Sequence, residues 1–276
     1  MLSKLIKYEF KATARIFLLT YAVVVVLAGV NAALLSLQPS GSSSLGMVYA
    51  GISTMMSLLY GIAAFAAFLL TIVIIVVRFY RMLGDEGYLW FTLPVTPTQQ
   101  IFGKLIPAIV WTIVTSVIAL ASVGLVTYRV NWPSQLGPIW RSLASQGFNP
   151  GVWLVCGLVF ILISLLVNVM LFYAAMAWGP NLIKSSRLGG SVVAYIIIYC
   201  ALEVLNLIGF LVMVVVFSKT FNAMQTIPSV LTSADVAAIN QAGLVFGGYF
   251  AVEYLVLAVV GFFITRHFIG RKLNLS

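Results

Sequence analysis

"VWLVCGLVFILISLLVNVMLFYAAMAW", residues 152–178, runs for 27 residues without a charged side chain. About 20 consecutive apolar residues suffice for one α-helix that crosses the hydrocarbon core of a bilayer. A transmembrane barrel would instead show shorter segments of alternating polarity, which this stretch lacks. The stretch therefore predicts a membrane-spanning helix.

The same pattern recurs five more times along the chain. The six predicted spans are 16–37, 48–77, 105–127, 152–178, 191–217 and 244–264. Of the 276 residues, 62% are hydrophobic and only 8% are charged, whereas about 25% of the residues in a soluble domain are charged. The sequence predicts an all-α polytopic membrane protein with six transmembrane helices in a single domain, residues 1–276.

The positively charged residues predict how these spans are oriented. Lys and Arg are enriched in the cytoplasmic loops of membrane proteins. If the N-terminus is cytoplasmic, that side receives twelve of the 15 Lys and Arg residues. The opposite side receives only Arg129, Arg141 and Lys219. Both termini are therefore predicted to be cytoplasmic.

Residues 1–15 predict an amphipathic helix that lies in the cytoplasmic interface of the membrane. Its cations fall at near-helical spacing along one stripe, as Lys4, Lys7, Lys11 and Arg15. The apolar side chains point largely elsewhere, which is typical of surface-bound helices. The alternative is a basic flank that only sets the topology. The net charge of +9 comes from cations at helix ends, which favours the lipid bilayer over nucleic acid as the partner.

Two outer loops are long enough to carry structure of their own. The first, residues 128–151, contains Trp132 and Trp140, which suit the aromatic belt at the membrane surface. In the second, Ser233 precedes Asp235, a suitable start for a short outer-face helix before the last span.

Residues 84–105, "GDEGYLWFTLPVTPTQQIFGKL", form a compact polar element between the second and third spans. Thr96 is a suitable N-cap, Pro97 suits the first helical position, and Gln99 falls at the capping-box position. The pattern predicts a helix that begins at Thr96 and continues into the third span. The apolar side chains of residues 88–93 need a cover, either the end of the bundle or a partner protein.

The order of residues in this element resembles the cytoplasmic loop of type-2 ATP-binding-cassette exporter permeases. In that family an acidic residue and Gly precede an apolar helix, a PVT or PVS turn and a GKL entry into the next span. The matching positions are Glu86, Gly87, Leu89, Leu93, Pro94, Thr96, Gly103, Lys104 and Leu105. The six spans, the amphipathic N-terminus and the helix before the last span are also similar. The start "GDEGYLWF" departs from the commoner, strongly basic "RERGTLE" pattern.

The resemblance implies a permease domain that moves a peptide, an antibiotic or a lipid-like substrate outward across a bacterial plasma membrane by alternating access. Residues 78–104 would be the coupling loop, which rests on a separate cytoplasmic ATPase. The implied coupling residues are Asp85, Glu86, Gly87, Tyr88, Leu89, Phe91, Leu93, Pro94 and Thr96. A second permease subunit, identical or related, is also implied. The alternative is a capped loop whose aromatic side chains merely seal the bundle.

The chain carries no nucleotide-binding or catalytic pattern of its own. A phosphate-binding loop, G-x-x-x-x-G-K-[ST], is missing from the sequence, so we expect ATP and Mg²⁺ in the partner ATPase and no cofactor or metal here. His267 is the only histidine, and neither H-E-x-x-H nor G-x-S-x-G occurs. We therefore expect a transport subunit and not an enzyme.

Three polar residues fall inside predicted spans and are candidates for a transport path. Glu203 and Glu253 lie near the middle of the fifth and sixth spans at similar depth, and Asn168 lies in the fourth. An ionised carboxylate at the bilayer centre costs about 2.5–3.5 kcal/mol, so such residues usually face the bundle interior or water. The alternative is hydrogen bonding between helices.

The same residues allow two other functions. A proton-coupled secondary transporter could use Glu203 and Glu253 as proton carriers. A membrane scaffold or sensor would need no transport path.

Overall fold

Seven α-helices make up most of the described chain, and no strand occurs among the described residues. The computed structural model describes residues 2–37, 44–84, 96–127, 132–145, 147–183, 185–218 and 233–271. The helices are α1 (Leu2–Ser36), α2 (Ser44–Leu83), α3 (Pro97–Thr127), α4 (Trp132–Ser145), α5 (Pro150–Leu182), α6 (Arg187–Val216) and α7 (Ser233–Arg271). The predicted all-α fold class is confirmed.

Six of these helices, all except α4, are long and apolar enough to cross a membrane. The shortest of the six has 30 residues, which at about 1.5 Å per residue exceeds the roughly 30 Å hydrocarbon core. Their surfaces carry many large exposed apolar side chains, which require lipid or protein around them. The chain is therefore a multi-pass membrane protein, while the cytoplasmic position of its termini stays a prediction.

Two short helices that were expected as separate elements are instead the ends of longer ones. The expected interfacial helix, residues 1–15, is continuous with the first span in α1, because no Pro or Gly interrupts residues 2–28. The expected outer-face helix is the first part of α7, which begins at Ser233 as predicted. The location of either segment at a membrane surface stays a prediction.

The helix α4 lies in a segment to which the sequence assigned no helix. It contains Gly137 and Pro138 in its interior, where both residues normally disfavour a helix. Helix propensity alone therefore did not predict α4.

The chain forms two compact units, Met1–Leu136 and Gly137–Ser276. In the first unit α1 packs against both α2 and α3, which also contact each other. Contacts along the helices show that α3 runs parallel to α1 and that α2 runs antiparallel to it. The pairs are Glu9–Lys104 and Tyr21–Thr115 for α1 and α3, and Glu9–Arg78 and Asn31–Ser57 for α1 and α2. The predicted single domain over residues 1–276 stays a prediction.

In the second unit α5 has the central position and packs against α6 and α7. The contacts Trp153–Asn240 and Phe160–Tyr254 advance together along α5 and α7, so these two helices are parallel. The connection from α5 to α6 spans only residues 183–186, which makes this pair an antiparallel hairpin.

The hairpin of α5 and α6 is held at backbone contact by two glycines. A Cβ atom added to Gly179 would collide with the backbone of Gly190 and Ser191, and one added to Gly190 would collide with the Gly179 carbonyl. Small residues at helix crossings allow such close approach, and van der Waals packing is a main force between helices in lipid. Both positions therefore require glycine.

Candidate functional site

Glu9 of α1 lies buried between α2 and α3 and contacts one cation on each. Arg78 on α2 donates from Nε to Glu9 Oε1 at 2.5 Å and from Nη2 to Glu9 Oε2 at 3.0 Å. Lys104 on α3 donates from Nζ to Oε1 at 3.2 Å. The side chains of Glu9 and Lys104 are only 8% and 4% exposed. We call Glu9, Arg78 and Lys104 the ion cluster.

The geometry of the ion cluster makes it a directional link between three helices. The two parallel hydrogen bonds from Arg78 to one carboxylate form the bidentate arrangement that fixes both distance and orientation. Buried charges persist only where a partner compensates the loss of water. Glu9 therefore ties α2 and α3 to the same point on α1.

The two cations of the ion cluster lie on either side of the loop that joins α2 to α3. Arg78 lies in the last two turns of α2, and Lys104 lies in the first turns of α3. At the entry to α3, Thr96 N–H donates to Gln99 Oε1 at 3.3 Å, and Gln99 N–H donates to Thr96 Oγ1 at 3.4 Å. The predicted capping box is confirmed, so the point at which the loop joins α3 is well defined.

Most of the predicted coupling residues lie outside the described residues. These are Asp85, Glu86, Gly87, Tyr88, Leu89, Phe91, Leu93 and Pro94. Thr96 is described, and it lies exposed at the start of α3. The coupling role of the whole set stays a prediction.

The predicted membrane anchors lie on the exposed side of α1. They are Lys4, Lys7, Lys11 and Arg15. The buried positions of the same helix segment recur every fourth residue, at Glu9, Thr13, Phe17 and Tyr21. This division agrees with the predicted amphipathic character, while contact with a membrane surface stays a prediction. Sequence reasoning missed Glu9, although its spacing in phase with Thr13 and Phe17 was the available signal.

Beyond the ion cluster, hydrogen bonds between side chains also join the three helices of the first unit. The contacts are Trp111 Nε1 to Thr13 Oγ1 at 2.9 Å, Tyr21 Oη with Thr115 Oγ1 at 2.8 Å, Thr71 Oγ1 with Thr115 Oγ1 at 3.0 Å, and Tyr60 Oη with Ser122 Oγ at 2.7 Å. They join α1 to α3 and α2 to α3. Such bonds in a membrane average about 0.6 kcal/mol each, so together they hold the register of the three helices.

The structure places the three candidate path residues on three helices of the second unit. Asn168 on α5 is exposed and donates from Nδ2 to the Ser164 carbonyl of its own helix at 2.8 Å. Glu203 on α6 is also exposed, and it interacts with the Tyr199 hydroxyl one turn earlier. The described hydrogen bond of Asn168 therefore does not join two helices.

Glu253 on α7 is half-buried and lies at about the same depth as the polar residue Asn206 on α6. Gly209 on α6 faces the ring of Tyr249 on α7. Asn206 and Glu253 each lie about one turn from that contact, in the same direction along the antiparallel pair. Asn206 Oδ1 and Glu253 Oε2 are buried, and neither has a hydrogen-bond partner among the described residues.

Comparison with known proteins adds no family assignment. No protein-family model matches the chain, and neither a curated protein nor a solved structure matches it. The helices define the class as a polytopic α-helical membrane protein with six candidate spans.

Proposed function

We propose that this chain is the membrane-spanning subunit of an ATP-driven exporter and that the ion cluster connects its cytoplasmic coupling loop to the spans. The observation that carries the proposal is the contact of one buried carboxylate, Glu9, with Arg78 before the loop and Lys104 after it. A displacement of the loop acts on both residues at once. The first unit would then respond as one body, because a packed network of ionic and hydrogen bonds carries such coupling.

The energy for export would come from a separate protein. Because the sequence has no phosphate-binding loop, ATP and Mg²⁺ would bind a cytoplasmic ATPase that docks on residues 85–96. A second permease subunit would complete the transport path in a bacterial plasma membrane, with the termini of this chain in the cytoplasm. The substrate class would be a peptide, an antibiotic or a lipid-like molecule, moved outward by alternating access.

Purification of the full chain tests the proposed partner. The tagged chain, extracted from its native membrane in mild detergent, should recover an ATPase that hydrolyses ATP. Glu86→Ala in the loop should reduce that recovery, whereas Lys7→Gln on the exposed side of α1 should not. Recovery of the folded chain without any ATPase under all extraction conditions would overturn the proposal.

The role of the ion cluster is tested by measuring how much substrate is moved per ATP hydrolysed, and not by measuring ATP hydrolysis alone. In vesicles that contain the chain and its ATPase, Glu9→Gln should leave ATP hydrolysis in place and reduce the substrate moved per ATP, because the neutral amide loses the charge shared by Arg78 and Lys104. Glu9→Asp keeps the charge and should restore part of the coupling. An unchanged transport-to-hydrolysis ratio in folded Glu9→Gln would remove the cluster from the mechanism.

A second candidate function is favoured by a different observation, the two buried acceptor atoms of Glu253 and Asn206. A proton bound to the Glu253 carboxyl would turn its buried oxygen into a hydrogen-bond donor at about the depth of Asn206. The chain would then be a proton-coupled transporter. Transport by the isolated chain under a pH gradient alone, lost in Glu253→Gln, would establish this function and exclude the ATP-driven one.

A further inference from the structure

An apolar cavity of about 440 Å³ opens between α4, α5 and α7 in the second unit. Its walls are formed by Trp140, Leu143, Phe148, Pro150, Trp153 and Ile239. The volume lies within the range of about 300–1,000 Å³ that is typical of small-molecule sites. Nearly all of the lining surface is apolar, so the cavity suits a hydrocarbon ligand.

One wall of the cavity is fixed by the turn that ends α4. Gly147 has a φ angle of 89°, the left-handed conformation that glycine adopts at a helix C-terminus. Gly147 N–H donates to the Ala144 carbonyl at 3.1 Å, and Phe148 N–H donates to the Leu143 carbonyl at 3.1 Å. This pair of bonds is a Schellman motif, in which the side chains at the positions of Leu143 and Phe148 pack together.

The opposite wall is fixed by the indole of Trp153. Its Nε1 donates to Asn240 Oδ1 at 2.9 Å, and Asn240 Nδ2 donates to the Gly147 carbonyl at 3.1 Å. A Cβ atom at Gly243 would collide with the Trp153 ring, so the ring lies directly against α7. Because the polar atom of the indole is already paired, Trp153 presents a rigid apolar surface to the cavity.

The helix α4 has the composition of a segment that lies at a membrane surface. Ile139, Trp140 and Leu143 are exposed, and their spacing places them on one side of the helix. At 14 residues, or about 21 Å, α4 is too short to span the bilayer. It connects two candidate spans, α3 and α5.

We propose that the cavity holds one acyl chain of a bilayer phospholipid. Part of its wall belongs to α5 and α7, whose exposed apolar surfaces require contact with lipid. A bound peptide would bring backbone polar groups into a site with almost no polar partner, which costs several kcal/mol per group. Arg141, exposed on α4, donates from Nε to the Gly137 carbonyl at 3.3 Å, and its remaining guanidinium N–H groups can pair with the phosphate of the headgroup.

Photolabelling of the full chain in vesicles tests the proposed site. The probe is a phosphatidylcholine that carries a diazirine on its acyl chain, diluted into unlabelled phosphatidylcholine. After irradiation, the label should be enriched on Leu143, Phe148, Trp153 and Ile239 relative to the exposed lipid-facing residues of α5. Leu143→Trp, which fills the cavity, should lower this labelling several-fold, whereas Ile139→Trp, one turn away and outside the cavity, should not.

A second filling variant and a folding control keep the test decisive. Ile239→Trp fills the cavity from α7 and should lower the labelling as Leu143→Trp does, at an unchanged melting temperature. Equal labelling of the cavity and of the exposed surface of α5, or undiminished labelling in both filling variants, would refute the site. Absence of label from the cavity in a chain that purifies as a dimer would assign the cavity to a second copy instead. Neither result depends on ATP or on an ATPase.

Discussion

The three long helices of each unit share one arrangement but are held together by different chemistry. In each, the first long helix is central, with an antiparallel second helix and a parallel third one. Of the eleven buried polar or charged residues found in the described chain, nine lie in the first unit. Only Ser191 and Thr265 lie in the second. The same arrangement is thus built once with polar bonds and once mainly with apolar packing.

This difference indicates what each unit can do. Lipid tails are as apolar as Leu, so apolar contact alone adds little driving force between helices, and close fit becomes decisive. The second unit relies on such fit at Gly179 and Gly190. The first unit relies on directional bonds to Glu9, Tyr21 and Thr115, which resist sliding. The first unit is therefore the better suited to transmit a displacement. We expect the first unit to be destabilised most by the loss of a polar or charged partner and the second by a steric change at a close helix contact.

The largest expected effect comes from removing the charge at the centre of the first unit. Glu9→Ala removes the carboxylate that Arg78 and Lys104 share, and breaking a buried ion pair costs about 3–5 kcal/mol. We expect the free energy of unfolding of the full chain in mixed micelles to fall by about 3 kcal/mol, toward the lower end because Arg78 is partly exposed. Lys7→Ala, at an exposed position of the same helix, is the control. An equal small change in both variants would contradict the difference between the units.

A steric change should have the corresponding effect in the second unit. Gly179→Val places a branched side chain against the backbone of α6, and overpacking costs typically about 1–3 kcal/mol. The same unfolding measurement should detect this loss. Gly157→Val on the same helix should be tolerated, because a Cβ atom there meets nothing within 4 Å. If Gly157→Val is as damaging as Gly179→Val, close packing is not what holds α5 to α6.

The smallest expected effect concerns a single polar side chain of the first unit. Tyr21→Phe removes the hydroxyl that bonds to Thr115, and such a bond contributes about 0.6 kcal/mol on average and up to about 1.7 kcal/mol. The unfolding free energy should fall within that range. Tyr8→Phe, whose side chain is exposed, should leave it unchanged. No difference between the two variants would mean that the Tyr21 hydroxyl adds nothing to the stability of the first unit.

The candidate site was only partly predictable from local patterns. The capping residues Thr96 and Gln99 act within one helical turn, so their sequence sufficed to place the start of α3. In its own stretch of sequence, Glu9 is an acidic residue among surface cations. Its partners are 69 and 95 residues away along the chain, and no local periodicity specifies which helices will meet.

By itself the sequence determined the helical class, the six long apolar helices and the exposed cations at the start of α1, because each depends on composition and on the 3.6-residue period of a single helix. Tertiary structure decided the pairing of Glu9 with Arg78 and Lys104, the continuity of α1, and the cavity beside α4. These features arise only when helices pack against each other. Burial then decides which charges must find partners and which apolar side chains are left without a cover.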